Sequence, residues 1–388
     1  MPPPARAPLA LSYLAFVSLG LPDTVIGVAW PSIRDTFGLS QAGLGVALGA
    51  GVAGYALSGA VAGRLVQALG VGRLLAASSG AVSLGLVAYA VAPVWPLFVA
   101  AAPLIGAGSG AIDAALNGFA ARHFPVRHVN WLHACWSAGA TAGPALMTAV
   151  LAWGASFRTG YGAIAAVLAA MTTCFVLTRR AWDDGPGPRS PGARPGLRGG
   201  ARAALSRPRV WLQIAIFFVY TGLEAGTGQW CFTVLRDGRG VTLETAGAWT
   251  AAYWGSIGLG RVVLGFVIGR VGPDRLLRIA SLSALAGAAA FAASEGLMGR
   301  LGLVLLGASL APMYPTLMAR SPGRLGAEVA PHAVGFQVTA ATLGSAAVPA
   351  ALGVLAARAG VGAIAPAVAA VAAVHLAIHE VLLAETGR

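Results

Sequence analysis

Long apolar blocks, separated by short polar or charged breaks, run along almost the whole chain. A helix needs about 20 apolar residues to cross the hydrocarbon core of a bilayer. Twelve blocks approach that length, and we number them as spans 1 to 12: residues 9–32, 42–66, 74–93, 97–121, 129–153, 160–178, 209–235, 243–268, 276–294, 300–319, 333–357 and 361–384. The blocks lack the short alternation of a membrane β-barrel, so the pattern predicts an all-α membrane protein with twelve transmembrane helices.

A segment rich in Pro, Gly and Arg separates the spans into two sets of six. Such a segment has too few apolar residues to bury a core, and its composition is typical of a disordered linker. We therefore predict an N-terminal six-helix bundle at residues 1–178, a basic cytoplasmic linker at 179–208 and a C-terminal six-helix bundle at 209–388.

The two halves of the chain repeat each other. Gly63–Leu75 and Gly265–Leu277 share the pattern G-x6-G-x2-R-L-L, and the acid Asp23 in span 1 is matched by Glu224 in span 7, 201 residues later. Duplicated halves in transporters are related by a pseudo-two-fold axis, and the substrate binds between them near the bilayer midplane. The repeat therefore predicts two pseudo-symmetric bundles around a central site.

Composition and charge support a membrane protein and argue against a nucleic-acid partner. Only 10% of the residues are charged and 57% are hydrophobic, whereas about a quarter of the residues in soluble domains are charged. The net charge is +13, and all 26 basic residues are Arg. With the N-terminus inside, nineteen arginines lie in cytoplasmic segments and six in outer loops. The positive-inside rule therefore predicts a multi-pass protein of the plasma (cell inner) membrane with both termini in the cytoplasm.

Several motifs resemble those of a known transporter family. The loop at Gly63–Gly70 resembles the G-x-x-x-D-R-x-G signature of the major facilitator superfamily, with Gln67 and Ala68 where the family has Asp and Arg. Four helices resemble the fucose:proton symporter branch, which includes sodium-coupled glucose transporter relatives. Their sequences are LGLPDTVIGVAWPSIRDTFGLSQAGL (span 1), GAGSGAIDAALNGF (span 4), HACWSAGATAGP (span 5) and GASLAPMYPTL (span 10). The resemblance implies a major facilitator fold and sugar transport by proton symport.

Acidic residues inside the spans are the first functional candidates, because a charge at bilayer depth is costly unless it is paired or faces a cavity. Asp23, Asp113 and Glu224 are the only acids well inside spans. A carboxyl in an apolar cavity can take up and release protons near neutral pH, because desolvation disfavours its charged form. In the family branch, the positions of Asp23 and Asp113 carry proton coupling and sugar contact. The alternative for each acid is a structural hydrogen bond to a neighbouring helix.

Polar and aromatic residues near these acids are candidate substrate contacts. Asn117 follows Asp113 by one helical turn. His133 and Trp136 share a face of span 5 and stand where the family branch tends to have amides, which argues against fucose itself, although sugar rings can stack on indoles. The remaining candidate contacts are Glu224, Tyr253, Trp254 and Tyr314. Arg261, near the cytoplasmic end of span 8, either neutralises an acid, gates the inner side or extends to the interface.

Metal, cofactor and enzyme functions have little support in the sequence. His375 and His379 have a spacing that can bind metal, but only Glu380 could be a third ligand, so we interpret them as an interfacial pair. No nucleophile–base pair or phosphate-binding loop is present. We therefore predict no metal, no cofactor and no enzymatic activity.

Three functions remain open. The first is uptake of a small hydroxylated solute, a sugar or glycoside, by a monomeric alternating-access symporter that uses protons or sodium. The second is proton-coupled efflux of a drug-like or biosynthetic product, because Gly139-Ala-Thr-Ala-Gly143-Pro144 resembles a motif of drug:proton antiporters. The third, a remote alternative, is a non-transporting sensor or a membrane-embedded enzyme.

Overall fold

The computed structural model describes residues 6–182, 204–267, 271–325 and 329–386. Within these ranges the regular elements are helices, and strands are absent. The long helices of the first half are Arg6–Asp23, Val25–Phe37, Gly43–Leu69, Val71–Val91, Trp95–His123, Val126–Ala152 and Phe157–Thr178. Those of the second half are Pro208–Thr233, Leu243–Val267, Pro273–Ala293, Leu297–Leu310, Met313–Leu325, Ala330–Ala359 and Ile364–Thr386.

These helices confirm the twelve predicted spans. Spans 1 and 10 each consist of two consecutive helices, and each other span is a single helix. Ten of the spans are both long and apolar enough to cross a membrane by composition alone. The helices of spans 5 and 8 have 27 and 25 residues. At about 1.5 Å of rise per residue, these two also exceed the hydrocarbon thickness of roughly 30 Å.

Proline accounts for the breaks in spans 1 and 10. Pro22 lies at the end of the first helix of span 1, and Thr24 forms a turn before the second. Pro312 lies in the corresponding turn of span 10. Proline has no backbone N–H and crowds the preceding turn, so it interrupts helical hydrogen bonding. The first break leaves Asp23 at a helix end, where its backbone carbonyl is available to other partners.

The chain folds as two compact units. Unit 1 comprises residues 1–183, 228–255 and 353–361, and unit 2 comprises residues 184–227, 256–352 and 362–388. Unit 1 thus includes parts of spans 7, 8 and 11 beside the six spans of the first half. The predicted division at 1–178, 179–208 and 209–388 stays a prediction, and most of the predicted linker lies outside the described residues.

Packing within the units follows the sequence repeat. In unit 1, span 3 packs extensively against spans 4 and 6. In unit 2, span 9 packs extensively against spans 10 and 12. Spans 9, 10 and 12 are the equivalents of spans 3, 4 and 6, six spans later, so the same packing occurs in both halves, as expected for duplicated halves.

Glycines set the closest helix contacts, and these contacts also repeat. A Cβ atom on Gly143 in span 5 would lie 2.3 Å from the carbonyl oxygen of Leu21 in span 1. A Cβ atom on Gly344, in the equivalent span 11, would lie 2.1 Å from the carbonyl oxygen of Phe218 in span 7. Small residues let membrane helices approach to backbone contact. The glycine motif of span 5 is therefore a close-packing motif.

Replacing Gly143 with Ala should lower the stability of the protein. The added methyl group would overlap a backbone carbonyl, and overpacking of this kind costs about 1–3 kcal/mol. Gly162→Ala is the matched control, because a Cβ atom at Gly162 would have no neighbour within 4 Å. The control should be neutral or stabilising, since Ala is the better helix former by about 0.5–1 kcal/mol. Thermal unfolding in detergent measures both, and equal midpoints would contradict this packing.

His375 and His379 of span 12, predicted to be an interfacial pair, are buried against other helices, with exposed fractions of 1% and 0%. Their position at the membrane interface stays a prediction. Span 9 packs against span 12 at this place, and Ser281 Oγ lies 3.4 Å from His375 Nδ1. Within the described ranges, no group of three or more His, Cys, Asp or Glu side chains is placed to hold a metal ion.

Candidate functional site

Asp23 is an exposed side chain in an otherwise buried stretch of span 1. Every other residue from Ser18 to Trp30 is buried. This part of span 1 therefore has no lipid-facing side, and its one accessible side chain is a carboxyl. An acid inside a membrane span that is accessible without facing lipid is a functional candidate.

Side chains from two other spans fix the position of Asp23 within unit 1. The Trp136 indole donates its Nε1–H to Asp23 Oδ2 over 3.0 Å. The Gln229 amide donates to the Asp23 backbone carbonyl over 3.0 Å. The adjacent Thr24 hydroxyl donates to the carbonyl of Ala140 over 2.8 Å. The break in span 1 is thus tied to spans 5 and 7.

Asp113 lies at the centre of a second polar group in the same unit. The Tyr55 hydroxyl donates to Asp113 Oδ2 over 2.8 Å, and the Asn117 amide donates to Asp113 Oδ1 over 2.9 Å. The Asp113 carboxyl also interacts electrostatically with His133 and with Asp23. The two acids therefore belong to one electrostatic cluster, although they lie on different helices.

His133 and Trp136 add an imidazole and an indole to this cluster. His133 is exposed, and its ring lies edge-on to Phe16 with the ring centroids 5.4 Å apart. Trp136 is half-buried, and its ring meets Trp254 at 81° with the centroids 6.4 Å apart. Tyr253 and Trp254 pack against each other and are both buried, with exposed fractions of 0% and 4%.

The remaining candidates lie in unit 2. Glu224 accepts a hydrogen bond from the Tyr220 hydroxyl, and its Oε2 lies 3.8 Å from Arg261 Nη2. Tyr314 packs near Tyr220, with ring centroids 6.1 Å apart. Of the roles considered for Arg261, this geometry supports neutralisation of an acid. Its role in gating stays a prediction.

Segments from both halves of the sequence meet at the predicted outer end of unit 1. Arg34, after span 1, pairs with Asp237, after span 7, with Nη1 and Oδ2 3.2 Å apart. A Cβ atom on Gly27 would lie 2.7 Å from the carbonyl oxygen of Gln229. The ends of spans 1 and 7 are therefore in close contact in this conformation.

Three polar residues of these clusters were not found by the sequence analysis: Tyr55, Tyr220 and Gln229. Each is a hydrogen-bonding side chain in an apolar span, and this is the signal that could have revealed it. Tyr220 also precedes Glu224 by one helical turn, the spacing at which side chains on one helix face meet. The partners of Tyr55 and Gln229 lie on other helices, so no local spacing indicates them.

The polar cluster of unit 1 can perform two kinds of chemistry. Its carboxyls can exchange protons, and its amide, phenol and imidazole groups can hydrogen-bond a polar solute. The indole of Trp136 offers an aromatic face beside them. This combination suits a solute that has both hydroxyl groups and a ring.

Comparisons with known proteins identify the family. The family model for the Major Facilitator Superfamily matches residues 12–349. No curated protein sequence matches the chain significantly.

Solved structures show the same fold at low sequence identity. The nucleoside transporter NupG superposes with a TM-score of 0.78 at 12% identity, covering 97% of this chain and 100% of its own. The transporter FucP, in the outward conformation, gives 0.64 at 21% identity with 97% and 98% coverage. An inward-facing bacterial homologue of the human lysosomal transporter Spinster gives 0.70 at 17% identity with 98% and 93% coverage. The chain is therefore a transporter, not an enzyme, and belongs to the major facilitator superfamily.

Proposed function

We propose that this transporter takes up a small hydroxylated solute, a sugar or glycoside, together with protons that bind to Asp23 and Asp113. The observation that carries the proposal is the cluster in unit 1, where an exposed carboxyl on span 1 interacts electrostatically with a second carboxyl on span 4. Polar and aromatic groups surround both acids. Solute and proton can thus bind at one place, which is what coupling requires.

The partners of the two carboxyls support a role in proton exchange. Among the described residues, Asp23 and Asp113 accept hydrogen bonds from an indole, a phenol and an amide, and neither pairs with an arginine. Glu224, in contrast, has Arg261 beside it. A neutral hydrogen-bond donor stabilises a carboxylate less than a full positive charge does.

The electrostatic interaction between the two acids strengthens this argument. Two interacting carboxylates repel each other, so a proton on one of them stabilises the pair. A solute hydroxyl that donates a hydrogen bond to Asp23 favours its charged form, and the repulsion then favours a proton on Asp113. Solute binding and protonation are therefore expected to favour each other, which is the thermodynamic condition for symport. Sodium in place of the proton is the competing form of coupling.

The solutes of the structural neighbours support the solute class. FucP is a fucose:proton symporter and NupG a nucleoside transporter by their descriptions. Both solutes contain a hydroxylated ring, which matches the mixture of polar groups and indole around Asp23. The glycine motif of span 5, which favoured efflux, has a structural explanation, because Gly139 and Gly143 pack against the backbone of span 1.

We expect the protein to be a monomer of the plasma membrane with both termini in the cytoplasm. This orientation puts Gln67, between spans 2 and 3, inside and Gly296, between spans 9 and 10, outside. Both residues are exposed. In a background without the native cysteines, Gln67→Cys and Gly296→Cys should react with a membrane-impermeant maleimide from opposite sides in right-side-out and inverted vesicles. Labelling of both from the same side would contradict the topology.

Transport by purified protein in liposomes tests the function. The screen should cover monosaccharides, glycosides and nucleosides under an imposed pH gradient, with a sodium gradient as a parallel arm. We expect accumulation of a hydroxylated solute that disappears when a protonophore collapses the gradient. Accumulation that follows sodium alone would contradict proton coupling, and exclusive transport of apolar cations would contradict the solute class.

A further inference from the structure

A buried arginine at one end of unit 2 has donor atoms without partners. The Arg324 side chain is 2% exposed, and its Nη2 pairs with Asp274 Oδ1 over 2.9 Å. Its Nε and Nη1 have no hydrogen-bond partner among the described residues. A buried donor without an acceptor costs about 1–3 kcal/mol, and more for a charged group. These atoms are therefore suited to an acceptor that binds from outside the chain.

Arg324 lines a depression of about 470 Å³ with two further arginines. Arg207 and Arg209, at the start of span 7, are exposed, and Glu385 is the acidic residue among the lining side chains. Arg209 Nε lies 3.7 Å from Glu385 Oε2, so one positive charge is partly balanced. The lining keeps an excess of positive charge, and this favours an anion.

An apolar depression of about 690 Å³ adjoins the basic one, and Pro208 lines both. It is lined mainly by apolar side chains, among them Leu205, Leu212 and Trp211, whose exposed fraction is 55%. The Trp211 indole donates to the carbonyl of Leu205 over 2.8 Å, which fixes the ring across the start of span 7. An amphipathic ring at a span end is typical of the membrane interface.

We propose that these two adjoining depressions bind one anionic phospholipid. The phosphate headgroup contacts Arg207, Arg209 and the free donor atoms of Arg324, and an acyl chain lies along Leu205, Trp211 and Leu212. The site lies where spans 7, 10 and 12 end, at the boundary of the membrane. Basic pockets at the ends of membrane helices recognise anionic headgroups, and an apolar surface beside the charge selects a lipid over a soluble phosphate.

Native mass spectrometry of the purified full-length protein tests this site. The ligands are phosphatidylglycerol, phosphatidylcholine with the same acyl chains, and inorganic phosphate. We expect one phosphatidylglycerol to bind more tightly than phosphatidylcholine. Arg207→Gln with Arg209→Gln should weaken phosphatidylglycerol binding by about tenfold or more, because each arginine near an anionic lipid contributes about one kcal/mol, or roughly fivefold. Trp211→Ala should weaken both lipids alike.

The matched control removes two arginines elsewhere on the same predicted side. Arg64 and Arg73 are exposed, so Arg64→Gln with Arg73→Gln changes the net charge equally and should leave phosphatidylglycerol binding unchanged. Equal losses in both double variants would overturn the site, because binding would then follow net charge. Equal affinity for the two lipids, or displacement of phosphatidylglycerol by equimolar inorganic phosphate, would also overturn it. These measurements need no transport activity, so their outcome is independent of the proposed solute.

Discussion

Asp113→Asn is expected to abolish solute accumulation while solute exchange continues. Asparagine has nearly the same shape and can still accept a hydrogen bond from Tyr55, so the local structure should persist. It cannot bind and release a proton, so a pH gradient no longer drives transport. In proteoliposomes, the ratio of internal to external solute should fall to about 1, the equilibrium value without coupling.

Asp35→Asn is the control for the loss of a carboxyl. Asp35 is exposed and pairs with Arg34, away from the cluster in unit 1, so this variant should accumulate solute like the wild type. Asp23→Asn should impair both accumulation and exchange, because we expect the exposed Asp23 to contact the solute. If Asp113→Asn still accumulates solute against its gradient, Asp113 is structural and the proton binds elsewhere.

His133→Ala is expected to weaken solute binding by roughly tenfold or more, which corresponds to about 1.4 kcal/mol. The imidazole is exposed and interacts electrostatically with Asp113, and a polar group of the solute left without its partner costs about 1–3 kcal/mol. Trp136→Phe should weaken binding less than Trp136→Ala, because phenylalanine retains a ring for stacking. It still loses the donor to Asp23, so an effect of intermediate size is expected.

Titration of one confirmed solute by scintillation proximity or calorimetry measures these variants. The order of effects separates the two classes of solute. For a hydroxylated solute, His133→Ala should be costly and Trp136→Phe milder than Trp136→Ala. For an apolar drug, His133→Ala should be nearly silent and the aromatic changes should dominate. The second pattern would contradict sugar or glycoside transport.

The sequence predicts the spans and the acids because both are local signals. Twelve apolar blocks are visible without tertiary information, and so is an aspartate in the middle of one. The glycine motif of span 5 is also visible in the sequence, but its contact with the backbone of span 1 at Gly143 is seen only in the structure.

The partners of the acids depend on tertiary structure. The Tyr55 hydroxyl belongs to span 2 and donates to Asp113 on span 4. Spans 2 and 4 pack so closely that a Cβ atom on Gly106 would lie 1.9 Å from the backbone of Gly51. Burial depends on tertiary structure as well: Tyr253 and Trp254, both predicted to contact the solute, are both buried. The burial of His375 likewise follows from the packing of span 12 against span 9, which hydropathy does not encode.

The residues that make up each compact unit could not be predicted from the sequence. The segments 228–255 and 353–361 lie in the second half of the chain and group with the first half in unit 1. Contacts such as the Arg34–Asp237 pair join them. Contacts of this kind join residues about 200 positions apart, so no local sequence pattern specifies them.

Proton movement driven by the solute tests the central claim most directly. Liposomes that contain the purified protein and an internal pH dye are prepared without any ion gradient, and a confirmed solute is then added outside. Coupled uptake predicts acidification of the interior in the wild type and no acidification with Asp113→Asn. An interior that becomes alkaline as solute enters would show antiport, and solute entry without any pH change would contradict proton coupling.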